Sequence, residues 1–147
     1  MPIVTTLNFS GRTEEALKFY ASALRSETVF LLRFRNCPDQ SLSRSGMEEL
    51  IFHATFRIEG TELMASDVGF VPGSAAVPFS GLALALNLTS ASRAHQIFAA
   101  LSDGGQVVIP LAESPFTALY GIVKDRFGLS WKINVGSLSQ KVGAFGA

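Results

Sequence analysis

Leucines fall on every second position of residues 81–88 (GLALALNL). Leu82, Leu84, Leu86 and Leu88 share one side, with Ala83, Ala85 and Asn87 on the other. This period of two marks a strand with one buried face. Residues 51–58 repeat it, with Phe52, Ala54, Phe56 and Ile58 set against Ile51, His53, Thr55 and Arg57. So do residues 130–135, where Trp131, Ile133 and Val135 oppose Ser130, Lys132 and Asn134. Looser strand signals cover 3–9, 28–34, 62–66, 106–109 and 119–123, and Glu59-Gly60 reads as the tight turn of a hairpin. Two segments change period. Ala16, Leu17, Tyr20, Ala23 and Leu24 form a helical stripe behind a first turn holding Glu14 and Glu15, with Thr13 the expected N-cap. Ala94, Ile97, Phe98 and Leu101 form a second stripe over about 90–102, which Asp103-Gly104-Gly105 ends.

The two helical segments belong to a repeated layout. Residues 7–24 and 86–104 each run strand, polar break, helix, and further strands follow with a turn near an aspartate, Asp67 in one half and Asp125 in the other. The expected fold is α+β: two tandem βαβββ modules forming a curled mixed sheet around a cleft, with helices on the outer face. The expected limits are 1–67, a Gly/Pro/Ser-rich linker at 68–80, 81–135, and a tail at 136–147, in one integrated domain. Residues 36–48 (NCPDQSLSRSGME) are polar and read as a mobile loop.

Composition narrows the function classes. Twelve basic residues balance twelve acidic ones, which gives no footprint for nucleic acid or an anionic membrane. Charged residues make up 16%, below the roughly 25% usual in soluble proteins, and twelve Phe accompany them. Some apolar surface is therefore expected to be covered by a second copy, in a homodimer. A single cysteine, Cys37, and no long apolar run fit a cytoplasmic protein that does not enter a membrane. Cys37 has no paired histidine motif that would suggest a catalytic thiolate.

Gly11, Glu14-Glu15-Ala16-Leu17 and Phe19-Tyr20, then His53-Ala54 and Leu63-Met64-Ala65-Ser66-Asp67, occur in order. Pro110-Leu111, Gly121, Val123, Asp125, Phe127-Gly128, Trp131 and Ile133-Asn134 follow. Together they resemble the PhnB-like subgroup of the vicinal oxygen chelate superfamily, which includes glyoxalase I, bleomycin-resistance proteins and extradiol dioxygenases. The resemblance spans nearly all of residues 1–135. The subgroup is often labelled demethylubiquinone methyltransferase-like, but no glycine-rich cofactor loop stands at a strand–helix junction here. The segment Glu113-Ser114-Pro115-Phe116-Thr117 departs from the subgroup, with Phe116 where Trp is usual and Thr117 where Gly is usual.

In metal-dependent members of the superfamily, His, Glu or Gln ligands come from four strands, two per half. The resemblance puts Thr6, one of residues 62–64, Ala83 and Lys132 at those positions. Alanine cannot ligate and an ammonium repels a cation, so neither a metal nor any other cofactor is expected. His53 is the candidate catalytic residue, with a second reading as a histidine hydrogen-bonded to a neighbour. The candidate ligand-binding residues are Thr6, Asn8, Thr55, Glu62, Asn87, Phe116, Tyr120 and Lys132. The expected function is cleft binding of a small, partly apolar molecule. The alternative is a metal-dependent or histidine-based lyase, isomerase or dioxygenase of the glyoxalase type. His95, Trp131 and the Glu48-Glu49 pair read as solvated, core and solvated respectively.

Overall fold

The computed structural model describes residues 3–136 and falls into two compact units, Met1–Val77 and Pro78–Ala147. The first contains β1 (Thr6–Asn8), α1 (Thr13–Leu24), β2 (Glu27–Arg33), β3 (Ile51–Ile58) and β4 (Thr61–Ser66). The second contains β5 (Ala83–Leu88), α2 (Ala91–Ser102), β6 (Gln106–Ala112), β7 (Leu119–Lys124) and β8 (Ser130–Val135). Each unit is thus a βαβββ module with a four-stranded mixed sheet, ordered β1-β4-β3-β2 in one and β5-β8-β7-β6 in the other. In both, the first strand pairs parallel to the last and the remaining pairs are antiparallel.

In the first unit the helix covers the side of the sheet that carries Leu7, Ala54, Phe56, Leu63 and Ala65, all buried. Tyr20 of α1 is fully buried and stacks on Phe56 of β3, ring centroids 6.3 Å apart. Glu59 and Gly60 both take positive φ, 48° and 82°, and join β3 to β4 in the two-residue turn whose twist suits a hairpin. Residues 68–77 pack back on this unit. Phe70 lies so close to Gly11 that a Cβ there would come within 2.8 Å of its ring, and the Val77 amide donates to Ser10 Oγ.

The second unit follows the same plan. Ala94, Ile97, Phe98 and Leu101 of α2 are buried, as are Leu86, Leu88, Val123, Trp131, Ile133 and Val135 of the sheet. The leucine side of β5 therefore belongs to the core, and Ala83, Ala85 and Asn87 are exposed on the other side. Phe98 reaches the sheet at Gly121, where a Cβ would lie 2.9 Å from its ring and 2.8 Å from the Leu111 backbone. Any side chain at position 121 meets both.

Two sequence expectations are corrected. Thr13 does not cap α1: Arg12 holds the N-cap position and offers no side-chain bond. Asp67, from the far end of the module, accepts from the Gly11 and Thr13 amides and from Thr13 Oγ1 instead. Asp67 and Asp125 are also not equivalent repeats. Asp67 follows the last strand of its module, whereas Asp125 opens the β7–β8 turn and accepts from Phe127, Leu129 and Trp131 Nε1. The 36–48 loop buries Cys37 and Met47 and contains a 3-10 turn at Gln40–Leu42, with most of its other residues exposed. The expected tail at 136–147 lies outside the described residues beyond 136.

Candidate functional site

A sheet with a helix on one side presents the alternate residues of its strands on the other. In the first unit, register aligns Thr6 with Met64, Met64 with Thr55, and Thr55 with Phe30 across all four strands. His53 and Leu32 form the adjoining pair on the same face. His53 Nε2 lies 3.0 Å from Thr55 Oγ1, and its ring centroid is 6.0 Å from that of Phe30. The hydroxyl fixes the imidazole orientation through one nitrogen and leaves Nδ1 for another partner. Phe30 is 52% exposed. This face therefore offers an aromatic ring, two apolar side chains and a held imidazole.

Two other expected residues of this half differ in situation. Asn8 shares the face, but its amide is occupied: Nδ2 donates to the Val68 carbonyl at 2.7 Å and Oδ1 accepts from the Ser10 amide at 2.9 Å. Glu62 lies 3.6 Å from Arg57 Nη2 in an exposed cross-strand pair. Neither stands beside His53 in the register, which aligns Glu62 with Arg57. Phe30 and Leu32 were not legible in sequence, because a register shift between Thr28 and Phe30 breaks the alternation of β2.

In the second unit, one row of the open face joins Asn87, Asn134 and Tyr120, and the next joins Ala85, Lys132 and Ile122. Asn134 Nδ2 donates to Asn87 Oδ1 at 3.2 Å. Phe116 stands apart in the loop before β7. Ser114 Oγ organises that loop by accepting from the Phe116 and Thr117 amides, and buried Thr117 donates to the Leu119 carbonyl at 2.8 Å. The threonine at the position usually held by Gly is thus a structural pin. The sequence-selected residues therefore gather as two sets, Thr6, His53 and Thr55 on one sheet and Asn87, Tyr120 and Lys132 on the other.

A pocket of about 310 Å³ also exists in the first unit, away from His53. It is lined by Gly11, Glu14, Glu15, Lys18, Asp67 and residues 49–51. Its carboxylates are already engaged. Arg33 bonds Glu14 and holds that carboxyl below the ordinary glutamate range, Arg12 pairs with Glu15, and Arg35 pairs with Glu49. Asp67 is fully buried beneath it with both oxygens in use. The amides that would make the start of α1 a binding site point at Asp67 instead.

The metal that the sequence resemblance implies does not fit the donors of this chain. The strand positions that the resemblance assigns to ligands carry Thr6, one of residues 62–64, Ala83 and Lys132, and among the described residues no group of three His, Cys, Asp or Glu side chains could hold an ion. One imidazole is short of the three or four donors that such a centre needs.

Comparison with known proteins agrees with this architecture. Residues 1–134 match the family model described as 3-demethylubiquinone-9 3-methyltransferase. Protein YjdN of Escherichia coli (strain K12) is 29% identical over 143 residues, covering 92% of this chain and 95% of YjdN. Protein PA1353 of Pseudomonas aeruginosa is 31% identical with a TM-score of 0.80, over 93% of this chain and 98% of that one. The PhnB protein of Bacillus cereus is 28% identical with a TM-score of 0.74, over 92% and 100%. A glyoxalase-related enzyme of Fulvimarina pelagi, 24% identical over 92% of this chain and 89% of that one, shares the fold with a TM-score of 0.54. The chain belongs to the 3-demethylubiquinone-9 3-methyltransferase family.

Proposed function

We propose that the protein binds a small, partly apolar molecule on a sheet face turned away from its helix, and that His53 and Phe30 contact it. The carrying observation is the first-unit face, where Phe30, Leu32 and Met64 share one side of the sheet with an imidazole held 3.0 Å from Thr55. An apolar surface with a few placed polar groups suits recognition of small molecules. The methyltransferase wording of the family description finds no support in a glycine-rich cofactor loop. A homodimer in the cytoplasm belongs to the same reading, supported by the low share of charged residues and the lone cysteine.

The test is an amide NMR titration with small aromatic fragments. Saturable shifts at Phe30, His53, Thr55 and Met64, weakened roughly tenfold by Phe30→Ser, are expected from the loss of an aromatic contact. Shifts confined to the helices, or no saturable shift at all, would end the reading. A second reading, a histidine-based lyase or isomerase, draws on the Thr55 contact, which leaves Nδ1 of His53 open to act as a base. It requires a turnover that His53→Ala abolishes while fragment binding persists.

A further inference from the structure

We propose that the open face of the second sheet is an anion subsite: Lys132 takes the negative charge of a small organic acid, and the Asn87–Asn134 pair takes a hydroxyl or amine of the same molecule. This extends the binding reading above to the open face of the second unit, taken by itself, and rests on that reading.

Two observations within the second unit meet here. Lys132 lies in the middle of β8 with its side chain exposed, and its neighbours across the sheet are Ala85 and Ile122. Neither can neutralise it, and among the described residues no carboxylate pairs with it. A cross-strand acid stabilises a cation in a surface ladder, as Glu62 opposite Arg57 does in the first sheet. Here the stem lies over apolar neighbours and the ammonium is left for an external anion.

The second observation is independent of charge. Asn134 is 5% exposed, and its Oδ1 is buried without a hydrogen-bond partner among the described residues. An unsatisfied buried acceptor costs about 1–3 kcal/mol, which a donor brought to it would recover. Asn134 is two residues along β8 from Lys132 on the same face, so the two side chains leave the backbone roughly 7 Å apart. Rotation about χ2, a soft torsion for asparagine, brings Oδ1 to the side where Asn87 stands in exchange for the Nδ2 bond, which leaves both amide oxygens to accept from a ligand donor. An acid that carries a donor on a nearby carbon engages both positions, with Asn87 as the second amide and Tyr120 as the wall of the row.

The experiment compares 3-phenyllactate with neutral 3-phenyllactamide and with 3-phenylpropionate, which lacks the hydroxyl, read by the side-chain amide NMR signals of Asn87 and Asn134. Phenyllactate is expected to shift both pairs saturably. The amide and the Lys132→Met variant are each expected to bind roughly tenfold more weakly, as loss of a charge-assisted hydrogen bond implies. Phenylpropionate is expected to keep the Lys132 dependence while leaving the Asn134 signal unmoved. Equal binding of acid and amide, or unchanged binding by Lys132→Met, overturns the proposal. Shifts confined to the Phe30–His53 face overturn it while the broader binding reading stands. Absence of shifts on both faces removes the two together.

Discussion

A single buried carboxylate organises the first module. Asp67 Oδ1 accepts from the amides of Gly11 and Thr13 at 2.9 and 3.2 Å and from Thr13 Oγ1 at 2.6 Å, and Oδ2 accepts from the Ile51 amide at 3.0 Å. It therefore ties the start of α1 and the start of β3 to the end of β4. Asparagine in its place keeps the volume but turns an amide NH2 toward backbone N–H groups. Asp67→Asn is expected to cost about 2–4 kcal/mol, read from the urea midpoint. Thr13→Ala, which removes one donor, is expected to cost about 1 kcal/mol. Wild-type stability in Asp67→Asn would show that the carboxylate does not hold the helix. At this scale the sequence was least informative, because the cap and the helix it serves lie 54 residues apart. The His53–Thr55 contact was readable in outline, since residues two apart on a strand share a face.

Elements were legible wherever the buried side was regular. β5 and β8 alternate in sequence, and Leu86, Leu88, Trp131, Ile133 and Val135 are all buried as that alternation requires, with Asn134 buried as well on the other side. The edge strands β2 and β6 were legible as strands, at 28–34 and 106–109, but which side each residue faces was not, because each carries register shifts and exposes most of its residues. Packing between α2 and β7 gives a sharp prediction. Gly121→Ala would set a methyl 2.8 Å from the Leu111 backbone and 2.9 Å from Phe98, so a loss of about 1–3 kcal/mol is expected in thermal unfolding. An unchanged Tm would mean that the helix has room to move away. Between α1 and β2, the Arg33 bond to Glu14 depresses the carboxyl pKa. The stability it provides is present above the ordinary glutamate pKa and is lost as pH falls through the depressed one. With Glu14 43% exposed, the pair is worth at most about 1 kcal/mol. Glu14→Gln should therefore be slightly less stable than wild type at neutral pH and equal to it in acid. A gap that widens on acidification would contradict this sign.

At the scale of the whole chain, both sheets end in an apolar edge. Val29 and Phe30 of β2, and Val107, Val108 and Ile109 of β6, are between 42% and 52% exposed. Pro110 within β6 is one device that discourages open-ended strand addition at such an edge. The proposed homodimer would cover one of these strips. Light scattering is then expected to give twice the chain mass, and Val108→Lys or Phe30→Lys to lower it toward one. A monomer at micromolar concentration would leave the dimer without support.

The two helices begin under different timing. α2 is capped by Ser90, three residues before the amide it serves, whereas α1 waits for Asp67. During synthesis the second helix can be sealed as soon as it emerges, while the first stays open until the entire leading module has left the ribosome. A nascent chain halted before residue 67 would carry a first helix whose leading amides lack the carboxylate that caps them.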